Sequence, residues 1–265
     1  MRHTVALILA MSLLAGCTTT STSFTTPYST QTESVNSDTD KRDAARNRVG
    51  IAYEYIKNGE FERAKFHLDK AVEQDPKSEY VQVGLAWYFQ QVKEVDLAKR
   101  HYKQALRIND KNPSTLNNYG IFLCEQGNYK ESVDMFIRAT EIFANKDISG
   151  TFENAGFCSA KGGNYEQAEE YYRRALNYNS QQRLALLGMA EIEYRKKRHE
   201  RTKAYLQRYE SVAPHSPRSL WLGAQNAAEM SDLDALASYG LKLEQMFPDS
   251  QETEYYLDAK TQWLR

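Results

Sequence analysis

The chain is predicted to be all-α, a solenoid of six helix–turn–helix repeats closed by one further helix. Three observations carry this expectation. Small residues recur every 34 residues in three parallel series, Ala52, Ala86 and Gly120, then Ala64, Ala98 and Ser132, then Ala71, Ala105 and Ala139. A period of that length is the size of one helix–turn–helix unit. After a two-residue insertion the series resume at Gly156, Ala168 and Ala175 and continue through Ala190, Thr202 and Pro214 to Ala224 and Pro248. Finally, 41% hydrophobic and 12% aromatic residues, with 13 Gly and 6 Pro in 265 residues, suit helices packed on both sides.

Taken in order, the chain opens on Arg2 and an apolar stretch from Val5 to Leu14, too short to span a bilayer as a helix. It ends in Leu14-Ala15-Gly16-Cys17, so residues 1–16 read as a secretory signal. The four residues resemble the bacterial lipobox, which implies cleavage before Cys17 and acylation of that cysteine. Several acyl chains, at about 0.8 kcal/mol per buried CH₂, give stable attachment. Thr18 stands where lipoproteins kept at the inner membrane commonly carry aspartate, so the resemblance implies the outer membrane, with the chain facing the periplasm. The rest of segment 17–44 is rich in Ser, Thr and Asn up to Asp40, which predicts a disordered tether of roughly 25–30 Å root-mean-square span.

Residues 45–250 hold the repeats. Small residues fall at the eighth, twentieth and twenty-seventh positions, where two antiparallel helices touch and Cβ bulk would force them apart. Large residues, Leu68, Tyr102, Phe136, Tyr172 and Leu206, lie one helical turn from the twentieth position on the same face. Gly59, Gly127 and Gly163 mark reversals within repeats, and Pro76, Pro214 and Pro248 close second helices. The pattern resembles the tetratricopeptide repeat from about Ala45 to Ser250, which implies a right-handed superhelix. It loosens in repeats five and six, where Tyr209, Leu236 and Leu243 occupy small positions. Residues 251–265, with Tyr255, Leu257 and Trp263, read as an amphipathic helix covering the open end of the stack.

A formal net charge of −1, or −2 once residues 1–16 are removed, argues against nucleic acid as a ligand. The run Arg195-Lys196-Lys197-Arg198 could bind phosphate, but it falls in an inter-helix turn flanked by glutamates and reads as solvated. His67 and His101, one repeat apart, are expected to stack or face solvent rather than bind metal. No metalloprotease, phosphate-loop or nucleophile-turn motif is present, so no catalytic residue, metal, cofactor or small-molecule substrate is expected. Cys124 and Cys158 fall in the first helices of consecutive repeats. In an oxidising compartment they either pair, with about 4 kcal/mol of loop-entropy stabilisation, or serve as two buried small hydrophobes.

In tetratricopeptide repeats, the second, fifth, ninth and twelfth positions of the first helix usually line the concave face. Here those positions supply Val49, Tyr53 and Ile56 from repeat one, Tyr80, Val83 and Trp87 from repeat two, then Ile121 and Phe157. The ninth position turns polar at Glu191 and Gln225. An aromatic groove on a charged protein suits a helix or extended peptide, and Tyr53 and Trp87 are its expected anchors.

The segment Asn117-Asn118-Tyr119-Gly120-Ile121-Phe122-Leu123-Cys124, with Asn154-Ala155-Gly156-Phe157-Cys158, resembles the type IV pilus biogenesis lipoprotein family called PilF or PilW. The resemblance spans nearly the whole chain. It implies an outer-membrane pilotin that binds the type IV pilus secretin, travels with the lipoprotein sorting machinery, and promotes secretin localisation and multimerisation. Two other readings are a general periplasmic adaptor for peptidoglycan hydrolases or proteases, and a subunit of the outer-membrane protein insertion machinery.

Overall fold

A computed structural model describes residues 29–263, with side chains from residue 37 onward. Cys17, the signal segment and the first part of the tether lie outside the described residues. The chain divides into two units, Met1–Lys41 and Arg42–Arg265. Every described element is an α-helix: α1 Ser29–Lys57, α2 Phe61–Gln74, α3 Glu79–Gln91, α4 Val95–Ile108, α5 Pro113–Glu125, α6 Tyr129–Thr140, α7 Ile148–Lys161, α8 Tyr165–Tyr178, α9 Arg183–Arg195, α10 His199–Val212, α11 Pro217–Glu229, α12 Leu233–Met246 and α13 Gln251–Trp263. Consecutive pairs from α1/α2 to α11/α12 form the six repeats, and α13 follows them.

The first helix starts earlier than expected. Residues 29–44, assigned from composition to the tether, belong to α1. Neither proline nor glycine interrupts the chain between Pro27 and Gly50, and Asp38 and Arg42 stand at the i,i+4 spacing that supports a helix. Polar composition is compatible with a solvent-exposed helix as well as with a tether.

The small-residue register is the seam of each helix pair. Ala64, Ala98, Ser132, Ala168 and Thr202 are all fully buried, as are Ala71, Ala105, Ala139 and Ala175. A Cβ on Gly120 would fall 2.7 Å from the Phe136 ring, and one on Gly156 would fall 2.6 Å from Tyr172. The large residue of the second helix therefore fills the space that the small residue of the first leaves open. Ser132 satisfies its hydroxyl by donating to the Gly120 carbonyl at 2.7 Å. Where Leu236 and Leu243 replace small residues in repeat six, both remain fully buried, and the seam is filled by larger side chains.

Helix starts are set by local capping. Asn112 accepts the Ser114 amide at 2.9 Å ahead of Pro113, Asp147 accepts that of Gly150 at 2.8 Å, and Ser216 forms a reciprocal capping box with Ser219 ahead of Pro217. The core is a string of clusters along the array, each shared by adjacent helices: one spans repeats three to five, and the last joins repeat six to α13, as expected for a solenoid. The last cluster is closed by α13, whose Tyr256 is buried and whose Trp263 stacks on Trp221 at 5.5 Å. A disulfide joins Cys124 on α5 to Cys158 on α7, with Cα atoms 5.8 Å apart.

Candidate partner-binding groove

The ninth position of the first helices places Tyr53, Trp87, Ile121 and Phe157 in succession along one face of the repeat array, each half-buried. The Tyr53 and Trp87 rings meet edge to face at 4.9 Å, and Tyr53 lies 6.2 Å from Tyr80. Burial, with Tyr80 beside it, pushes the Tyr53 phenol well above its ordinary range, so it stays neutral as a hydrogen-bonding group. These rings border a cleft of about 510 Å³ that Val83 and Ile121 also line. A second, smaller hollow of about 180 Å³ opens next to it, walled by Ile121, Cys124, Phe136, Phe157 and Leu184.

Not every expected groove residue lies there. Val49 is 0% exposed and Ile56 5%, and both belong to the cluster with Leu68, Val81 and Leu85. Gly84 explains Val49: a Cβ on it would fall 2.8 Å from the valine, so α3 comes close enough to bury that side chain. Val83 is 8% exposed and contributes only an edge to the cleft, whereas Tyr80 is 40% exposed and touches the Tyr53 ring without lining the cleft itself.

Other groove residues were outside the expected register set. Tyr102 donates its hydroxyl to Gln90 Oε1 at 3.1 Å, and Gln90 Nε2 donates to Glu125 Oε2 at 2.7 Å. Gln90 holds the twelfth position of its repeat and could have been read from the register. Glu125 holds the thirteenth, and Tyr102 reaches the cleft from a second helix, so the first-helix rule finds neither.

The same face changes character toward the C-terminus. A cleft of about 620 Å³ there is lined by Glu191, Tyr194, Arg218, Trp221 and Gln225. Arg218 spends its charge on Glu191, with Nη2 at 2.5 Å from Oε2. Three residues of the basic run beside it are likewise engaged internally, while Arg195 and Lys197 also line the cleft. Arg195 lies over the Tyr165 ring at 4.2 Å, Lys196 pairs with Glu169, Arg198 pairs with Glu193 at 3.4 Å, and Lys197 takes the turn conformation with φ 55°.

The histidines serve packing. His67 stacks on Tyr55 at 5.4 Å, and His101 stacks on Phe89 at 5.2 Å while facing Gln82 Oε1 at 2.8 Å. Burial first, then neighbouring cations, lowers both imidazoles below their ordinary range. Among the described residues no group of three metal-ligating side chains converges, and no helix is long and apolar enough to cross a membrane.

The sequence matches tetratricopeptide-repeat family models over residues 45–78, 113–181 and 160–217. It is 35% identical over 224 residues to the type IV pilus assembly protein PilF of Pseudomonas aeruginosa, covering 84% of this chain and 89% of that protein. An uncharacterized Haemophilus influenzae protein is 33% identical over 145 residues, covering 52% of this chain and 81% of the other. Among solved structures, Pseudomonas aeruginosa PilF aligns with a TM-score of 0.74 at 34% identity, over 82% of this chain and 98% of that one. PilW, described as a widely conserved type IV pilus biogenesis factor, aligns with a TM-score of 0.72 at 28% identity, over 80% and 98%.

Proposed function

Because the chain belongs to the PilF/PilW family of tetratricopeptide-repeat proteins, we propose that it is the pilotin of a type IV pilus system: an outer-membrane lipoprotein, anchored through acylated Cys17, that binds the secretin and promotes its localisation and multimerisation. It works by binding and not by catalysis, as an adaptor within pilus biogenesis. The observation that carries this reading is the aromatic cleft of repeats one to three, where Tyr53 and Trp87 present large rings beside Val83 and Ile121. Partly exposed aromatic side chains in a concave surface are the usual energetic centres of protein interfaces. A cleft of this size on a helical scaffold suits one helix or strand of a partner.

In this reading the lipid anchor and the groove do separate jobs. The groove holds a secretin segment and shields it from premature association, while the anchor and the lipoprotein sorting machinery take the complex to the outer membrane. The deciding experiment follows secretin multimer in outer-membrane fractions of cells lacking the protein and of cells carrying Cys17→Ser or Trp87→Ala. Multimer is expected to be lost on deletion, mislocalised with Cys17→Ser, and reduced with Trp87→Ala, whose truncation should weaken binding by about 2 kcal/mol. Unchanged multimer in all three strains would refute the pilotin reading.

A further inference from the structure

We infer that the segment held in the groove carries a lysine or arginine between two bulky apolar side chains, the cation being recognised by Glu125. This inference rests on the groove being the partner site and concerns the chemistry of what it takes. The 510 Å³ cleft and the 180 Å³ hollow share two residues, Ile121 and Glu125, so the carboxylate stands at their junction. On one side is the Tyr53–Trp87 pair, and on the other is the wall formed by Phe136, Phe157 and Leu184. An apolar cavity of about 150 Å³ accepts benzene, so the smaller hollow, whose apolar wall of Ile121, Phe136, Phe157 and Leu184 is edged by Asn154 and Lys161, has room for one leucine or phenylalanine side chain.

Glu125 is positioned but not neutralised. Its Oε2 accepts from Gln90, whose own orientation is fixed by the Tyr102 hydroxyl. Among the described residues no cation lies within ion-pair distance of it. The two lysines lining the groove are engaged elsewhere: Lys57 with Glu54 at 2.8 Å, and Lys161 over the Phe157 ring at 5.5 Å. Glu125 is also the last residue of α5, the end of a helix where the backbone dipole disfavours an anion. Helix stability therefore gives no reason for a carboxylate here, whereas a cation arriving from a partner does. The two apolar side chains supply affinity, and the cation fixes register and discriminates among segments.

The test uses the full-length lipoprotein in detergent micelles and two probes: short overlapping peptides tiling the secretin, and a random peptide display library. Both are expected to yield binders with a basic residue between two bulky apolar ones. Glu125→Lys should weaken them about fivefold, and replacing the peptide's cation by glutamate should restore binding to that variant, which also establishes that it is folded. Glu125→Gln should weaken them less and flatten the salt dependence, and Phe157→Ala should weaken them with no such rescue. Binders lacking a central cation, or equal binding by wild type and both Glu125 variants, would overturn the inference. Library binders with the pattern but no secretin binder would overturn the secretin reading alone. A secretin binder without the pattern would overturn this inference alone.

Discussion

Glu153, on the first helix of repeat four, is 8% exposed, yet its Oε1 accepts the Ala185 amide at 2.9 Å. Residue Gln182 at the start of α9 makes no side-chain cap of its own, so a carboxylate from the preceding repeat takes that role. Burial raises the Glu153 pKa, outweighing the hydrogen bonds from Ala185 and Leu184 and the nearby Arg183 charge. The folded state thus holds this proton more tightly than the unfolded chain, and its contribution to stability falls as pH rises from the unfolded carboxyl value near 4.5 through the raised folded one. Glu153→Gln keeps an acceptor and removes the buried charge. It should melt at the same or a higher temperature than wild type at pH 7.5, with the gap closing toward pH 5; a lower melting temperature at pH 7.5 would contradict this. Nothing in the residue order announces such a partner, because the bond joins positions 32 apart through packing. Val49 and Ile56 are covered for a related reason: register places them on the right side of a helix, but the closeness of α3 at Gly84 buries Val49, and Ile56 packs into the same cluster.

The turn between the two helices of each repeat uses one backbone device six times. The fifteenth residue is left-handed in every repeat: Gly59, Gly127 and Gly163 with φ of 75°, 76° and 82°, and Lys93, Lys197 and Ser231 with φ of 61°, 55° and 56°. Side chains pay about 1–2 kcal/mol for this conformation, while glycine pays about 0.5–1 in unfolded-state entropy. Lys93→Gly and Ser231→Gly should each therefore stabilise the fold by about 0.5–1 kcal/mol, read as a higher midpoint of chemical unfolding, and an unchanged or lower midpoint would show that the lysine or serine makes compensating contacts. The turn was legible in the sequence wherever glycine marked it and silent where it did not, although the 34-residue spacing, with the two-residue insertion before repeat four, fixes all six. The period also places the basic run: Lys197 is the turn residue itself, Arg198 pairs with Glu193 across it, and Arg195 and Lys196 reach Tyr165 and Glu169 of the preceding repeat.

Across the repeats, stability is held by neighbouring contacts and not by one centre, so the ends of the array are its exposed flanks. The fold was readable from periodicity, but the face that α13 turns to repeat six was read only in part: Trp263 stacks on Trp221 and Tyr255 lies 6.0 Å from it, whereas Leu257 is exposed, and the buried residues are Tyr256 and Thr253, whose hydroxyl donates to the Phe247 carbonyl at 2.7 Å. Removing α13 should raise hydrogen exchange in α11 and α12 while leaving α3 to α6 protected; uniform loss of protection would mean that the array unfolds as one body. The groove was readable only in part, because its aromatic line follows the register whereas Glu125 and Tyr102 enter from outside it. The Cys124–Cys158 bond has a mechanical meaning as well. It joins residues 34 apart through sulfur, so a pull along the chain passes from α5 to α7 without loading α6. At roughly 3.4 Å per extended residue, about 110 Å of chain is withheld from stretching, and the part of the array beneath the smaller hollow keeps its shape while its flanks give way first.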